Sequence, residues 1–200
     1  IRSGFLGRAM TVTISNEETD QSSGVNSRLV FFDMDRTILD ITPYHQKNFL
    51  TVLNKVFGIN ELIPVEIAGN PYLEVVRRYA VASGVSTNFF NAHLETIETL
   101  LVENMLNILP DDLRSFVLPG AIELLNKLNQ EHVALGLTTG TIRALGVPIL
   151  KRAGLLEYFP ITVFGDSFDQ REQIVNKGLE AAAWVYGLVR EKINLVTIGD

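Results

Sequence analysis

The 200-residue chain contains no cysteine. That absence removes disulfides, thiolate nucleophiles and thiolate metal sites together, and it fits a reducing, cytoplasmic setting. No apolar run approaches the roughly 18 residues that a membrane-spanning helix requires, so no membrane partner is expected. Excess positive charge is missing too. With 17 Lys and Arg against 23 Asp and Glu, the formal net charge is -6. This argues against a nucleic-acid partner, because gripping a phosphate backbone needs a basic face. It does not forbid a small phosphate site, which a few backbone N–H groups and one cation can make.

What is present is the composition of a globular protein, 46% hydrophobic and 20% charged. The length suffices for one core with a smaller appended domain. Residues 1–27 are rich in Ser, Thr, Asn, Gln, Asp and Glu, with no sustained periodicity after Ile14, and read as a flexible tail or a remnant ahead of the first domain.

From Arg28 to Asp33 the sequence runs RLVFFD, a β-favouring apolar stretch that stops abruptly in polar residues, as a buried parallel strand does. Val133–Thr138 (VALGLT), Ile161–Phe164 (ITVF) and Asn194–Ile198 (NLVTI) have the same form. Helical periodicity precedes each later strand: Ala121–Glu131, with Ile122, Leu124, Leu125 and Leu128 on a shared face, then Ile142–Ala153 and Gln173–Tyr186. The alternation predicts an α/β fold, a doubly wound parallel sheet with ligands at the carboxyl ends of its strands. One interval breaks it. A parallel crossover needs a dozen or so residues, yet about a hundred separate Asp33 from Val133. Most of that interval is expected to be an inserted all-helical domain over residues 42–115, with residues 28–41 and 116–200 forming the core. Within the insert, helices are expected from Thr42 to just before Gly58, from Tyr72 to Ser83, and from Thr87 or Asn88 toward Leu106, the last burying Leu94, Ile97, Leu101 and Met105.

The segment FFDMDRTILD puts Asp33, Asp35 and Thr37 just beyond the first strand. Residues two apart in an extended segment face the same side, so both carboxylates can address one substrate. One can attack phosphorus while the other protonates the departing oxygen and later takes a proton from water. A pair of surface acids in a turn is the alternative for the pair alone, but it fits poorly between VFF and TIL.

Asp33-Met34-Asp35-Arg36-Thr37 resembles the DxDxT motif of the haloacid dehalogenase superfamily. Arg36 stands where that pattern often has Gly. LGLTTGT, Leu135–Thr141, resembles the second motif, which implies phosphate binding by Thr139 and Gly140, with Thr138 competing by one residue. Arg171 resembles the basic residue ahead of the last motif, with Lys177 as the alternative; a solvated helix charge is the other reading of either. VTIGD, Val196–Asp200, resembles the fourth motif. The resemblance implies Mg²⁺ held by the Asp33 carboxylate, the Asp35 backbone carbonyl and Asp200, a hard cation with oxygen ligands. It covers about residues 28–200. The insert is similar to the helical C1 cap of the phosphoglycolate phosphatase-like branch, which implies a Rossmann-like core whose cap selects the substrate.

Cap and hinge candidates are Tyr44, His45, Lys47, Tyr72, Arg77 and Arg78. His45 stands ten residues past Asp35, where capped members, including β-phosphoglucomutase, can carry a His; its other reading is a polar residue on the first insert helix. The expected partner is a small phosphorylated metabolite and the expected activity Mg²⁺-dependent phosphate monoester hydrolysis through an aspartyl-phosphate. The alternatives are a phosphosugar mutase of the same superfamily and a non-catalytic phospho-acceptor or binding protein.

Overall fold

The computed structural model describes residues 11–15, 28–167 and 171–199. Among these residues five strands form one sheet: β1 (Thr11–Ser15), β2 (Arg28–Phe32), β3 (Ala134–Thr138), β4 (Ile161–Val163) and β5 (Asn194–Gly199), in the order β1-β5-β2-β3-β4. β5, β2, β3 and β4 run parallel, while β1 pairs antiparallel on the outer side of β5. Around them lie α1 (Thr42–Phe57), α2 (Tyr72–Ala82), α3 (Thr87–Ala92), α4 (Leu94–Ile108), α5 (Ala121–Gln130), α6 (Arg143–Arg152) and α7 (Arg171–Tyr186).

The sheet is covered on both faces because successive side chains of its strands point opposite ways. Leu29 and Phe31 of β2 pack with Ala134, Ile161 and Val163 against Ile174 and Ala182 of α7. Val30 and Phe32 point the other way, with Leu135 and Leu137, toward Leu125 of α5 and Ile149 of α6. This is the doubly wound α/β arrangement with an all-helical insertion, α1 to α4, between β2 and β3. Within the insertion α1 packs along α4, and Ile97, Leu101 and Met105 of α4 are each 0% exposed. Burial of that stripe is worth roughly 1.5–3 kcal/mol per side chain. No helix among the described residues is long and apolar enough to cross a membrane.

Three details differ from the sequence expectation. Thr11–Ser15, expected within a flexible tail, is a sheet strand; the rest of residues 1–27 lies outside the described residues. TVTIS alternates polar and apolar residues, a strand period inside a polar surrounding. The long helix expected from residue 87 or 88 is two helices, broken at His93, whose Nδ1 lies 2.9 Å from the Phe89 carbonyl oxygen and whose ring packs edge-on to Phe89 and Phe57. The break turns Leu94 outward to 37% exposure, and Leu124 of α5 is likewise 40% exposed, so neither belongs to its helix's buried face.

Backbone pairing runs one residue past the strand ends. The Asp33 N–H donates to the Ile198 carbonyl at 2.8 Å and the Thr139 N–H to that of Val163 at 3.0 Å, which brings the tips of β2, β3, β4 and β5 to one edge. Loop packing at this edge is tight. A Cβ at Gly165 would fall on the Gly140 carbonyl oxygen, which also accepts from the Tyr72 N–H at 2.9 Å. Gly165→Ala should therefore destabilise the fold by about 1–3 kcal/mol, read as a lower urea midpoint; an unchanged midpoint would contradict this packing.

Candidate active site

The turn after β2 is anchored by Met34, Ile38 and Leu39, none more than 1% exposed. The Met34 carbonyl faces the N–H groups of Thr37, Ile38 and Leu39 at 3.1–3.4 Å, winding the chain tightly enough that Asp33 and Asp35 both reach the same cavity. Arg36 has φ 58, in the left-handed region where side chains other than Gly are strained by roughly 1–2 kcal/mol. This gives a physical reason for the Gly found at that place in the motif it resembles. Thr37 is buried, and its hydroxyl has no hydrogen-bond partner among the described residues.

Asp33 is 8% exposed, and burial pushes its carboxyl up to about 6, against the pull of Arg171. The Arg171 guanidinium lies 3.0 Å from one carboxylate oxygen, and the Met34 N–H donates to the other at 2.8 Å. Arg171 also donates to the Thr138 carbonyl at 3.3 Å, which ties the start of α7 to the tip of β3. Asp35 is the contrasting acid. Burial pushes it up, but His45, Thr141 and Arg36 outweigh burial and hold the carboxyl below its ordinary value. His45 Nε2 lies 3.0 Å from one Asp35 oxygen, and the Thr141 hydroxyl donates to the other at 3.0 Å.

Behind His45 a chain of buried polar groups runs into the insert. The Leu101 carbonyl can only accept, so the Asn48 atom 2.9 Å from it is the amide nitrogen, and the Asn48 oxygen faces the Asn104 amide at 2.7 Å. The same Asn48 nitrogen donates to the Tyr72 hydroxyl at 3.3 Å, which leaves the hydroxyl proton for His45 Nδ1, 3.4 Å away. With the imidazole neutral, this accounting puts its proton on Nε2, facing Asp35. Burial raises the Tyr72 phenol well above its ordinary range, so it stays a neutral hydroxyl.

Thr139 and Gly140 line the cavity with Asp33, Asp35, His45 and Arg171, whereas Thr138 does not. Of the two candidate cations, Arg171 reaches Asp33, while Lys177 is 60% exposed and paired with Glu180 at 2.9 Å. Arg77 and Arg78 stand away from the cavity, both bonded to Glu74. Asp200 lies outside the described residues. Two residues the sequence reading did not single out, Asn48 and Thr141, belong to the site's hydrogen-bond network. Asn48 lies at 0% exposure with His45, Phe49 and Val52 on the buried face of α1.

The donor set suits a hard cation. Asp33 and Asp35 offer only oxygen, and Gly199 stands beside Asp33, its hypothetical Cβ 3.5 Å from that of Asp33. A buried carboxylate whose charge is opposed by its surroundings is also a group that a bound cation would stabilise.

A family model described as haloacid dehalogenase-like hydrolase matches residues 30–200. The chain belongs to the haloacid dehalogenase-like hydrolase family. A phosphoglycolate phosphatase of Agrobacterium fabrum is 26% identical over 153 residues, covering 73% of this chain and 62% of that protein. The chain thus spans less than two thirds of that curated relative. Among solved structures of similar fold, β-phosphoglucomutase from Clostridium difficile superposes with a TM-score of 0.63 at 17% identity, over 76% of this chain and 70% of the other. A predicted phosphoglycolate phosphatase from Haemophilus somnus gives a TM-score of 0.59 at 17% identity, over 86% of this chain and 77% of its own. At these identities the two structures speak for the fold of this haloacid dehalogenase-like hydrolase and not for its substrate.

Asn48 joins α1, α2 and α4 at the centre of the buried chain. Asn48→Leu should cost about 2 kcal/mol through the polar partners it strands, seen as a drop in urea midpoint; a midpoint within error of the parent would show that the network does not hold the insert.

Proposed function

We propose that this haloacid dehalogenase-like hydrolase is a Mg²⁺-dependent phosphatase of small phosphate monoesters, with Asp33 as nucleophile. The observation that carries the reading is the convergence of Asp33, Asp35, Thr139 and Arg171 on one cavity at the strand tips. In this reading residues 42–115 are the cap and residues 28–41 with 116–200 the core, and α1 and α2 provide the wall across from the strand tips.

In the first step an Asp33 oxygen forms a bond to phosphorus while the bond from phosphorus to the ester oxygen breaks. The electron pair goes to that oxygen, which takes a proton from Asp35 and leaves as the alcohol; Asp35, a carboxylate at rest, first takes that proton up from solvent. In the second step a water oxygen bonds to phosphorus, the bond to Asp33 breaks with its electron pair returning to the carboxylate, and Asp35 takes the water proton. Atoms and charge balance: ester plus water gives alcohol plus phosphate.

The Thr139 hydroxyl and the Gly140 N–H orient the phosphoryl oxygens, and Arg171 offsets negative charge where Asp33 attacks. His45 and Thr141 hold Asp35 toward the cavity, each by a hydrogen bond of 3.0 Å. Mg²⁺ held by Asp33, the Asp35 carbonyl and Asp200 would add positive charge beside the phosphoryl group. A phosphosugar mutase uses the same pair of acids. The segment AGNPYLE, Ala68–Glu74, borders the cavity without any basic residue, which favours hydrolysis.

Asp33→Asn should reduce Mg²⁺-dependent phosphate release by at least about a thousandfold, and Asp35→Asn by about 100-fold to 10,000-fold, with urea midpoints showing both variants folded. Parent-like release by folded Asp33→Asn would remove Asp33 from the nucleophile role.

A further inference from the structure

The cavity has two unlike sides. Toward the core it is charged, with Asp33, Asp35, Arg36 and Arg171 around Thr139 and Gly140. Toward the insert it is formed by Phe49, Ile67, Ala68, Val75 and Tyr79, with the Tyr72 ring among them. Phe49 packs edge-on to Tyr72 at 5.0 Å and tilted to Tyr79 at 5.9 Å, which makes this side a continuous aromatic surface. The polar groups that interrupt it at the rim, Thr42, Gln46 and Asn70, are neutral.

The insert has cations, but none of them borders the cavity. Its basic side chains are Lys47, Lys55, Arg77, Arg78 and Arg114. Lys47, two residues before Phe49, is exposed and does not line the cavity, and Glu74 engages Arg77 and Arg78: Arg77 gives it two hydrogen bonds of 2.7 Å each, and Arg78 adds one at 2.9 Å. Arg78 is further engaged by the Glu66 carbonyl at 3.1 Å. Arg114 pairs with Asp112. His45 packs on Phe49 and Tyr72, but both its ring nitrogens are engaged, Nε2 with Asp35 at 3.0 Å and Nδ1 with the Tyr72 hydroxyl at 3.4 Å.

We infer that the substrate is a phosphate monoester whose alcohol portion carries no second anionic group, with an apolar or aromatic face that lies on Phe49, Ile67, Val75 and Tyr79. This rests on the phosphatase reading above and names the class of ester within it. With phosphorus at Asp33, the alcohol portion is directed at the insert wall. A carboxylate or second phosphate there would lose water without meeting a cation, whereas an apolar group would gain by contact. The products are then phosphate and an uncharged alcohol, the ester oxygen leaving with the proton supplied through Asp35.

The test compares kcat/KM, with Mg²⁺ present, for 2-phosphoglycolate, its carboxyl methyl ester and phenyl phosphate. The two esters without a carboxylate should each exceed phosphoglycolate by at least about tenfold. Equal values, or a preference for phosphoglycolate, would overturn the inference while leaving the phosphatase reading standing. Release from none of the three, nor from p-nitrophenyl phosphate, would overturn both. In Ile67→Lys, a half-buried position on the wall, the ratio of phosphoglycolate to phenyl phosphate should rise by tenfold or more. Because it is a ratio within one variant, partial loss of folded protein cannot mimic it. A ratio unmoved in folded Ile67→Lys would mean that the alcohol does not lie on this wall and would overturn the inference.

Discussion

The Asp33 carboxylate sits in surroundings that oppose its charge, and the Arg171 guanidinium 3.0 Å away is what counters them. Much of the local architecture serves that pair. Asp33 is fixed because β2 is buried on both faces and its ladder to β5 continues through the Asp33 N–H. Arg171 is fixed because α7 packs on the face lined by Leu29 and Phe31, so its first residue arrives over the strand tips and is tied to Thr138. Neither group would be costly in water; it is burial that makes their pairing necessary and that leaves the acid less comfortable as an anion than an exposed one.

Asp35 solves a similar problem differently, through elements distant in sequence. Its partners are His45 on α1 and Thr141 after β3, and His45 is itself held by Tyr72 of α2 and, through it, by Asn48 and α4. Displacing the insert would therefore strain the hydrogen bonds of the second acid, while the first acid depends on the sheet. Two carboxylates two residues apart thus answer to two different parts of the fold, and their proton affinities move in opposite directions from the same ordinary value.

The α/β framework was legible because each buried strand announces itself by an apolar run with an abrupt polar end, and each helix by its period. The insertion was legible from the length of the interval between Asp33 and Val133. What escaped were features set by long-range contacts. At the break the His93 ring packs against Phe57 and Phe89, a contact that no helical period encodes. The strand Thr11–Ser15 pairs with a partner more than 180 residues away. Arg171 and Lys177 could not be separated by composition, yet six residues turn a helix by about 240°, so only one of them can face the strand tips. Thr141 lies within the LGLTTGT segment, where only the Asp35 oxygen beside its hydroxyl distinguishes it from its neighbours. Asn48 needed three helices to be brought together before its role could be seen.

The central claim is that the carboxylate at the tip of β2 becomes bonded to phosphorus during turnover. Borohydride reduction of enzyme quenched while turning over a phosphate ester with Mg²⁺ converts an aspartyl-phosphate to homoserine, which peptide mass spectrometry locates. Homoserine at position 33 is the predicted result. Homoserine at position 35, or none at either position in enzyme that is releasing phosphate, would contradict the account.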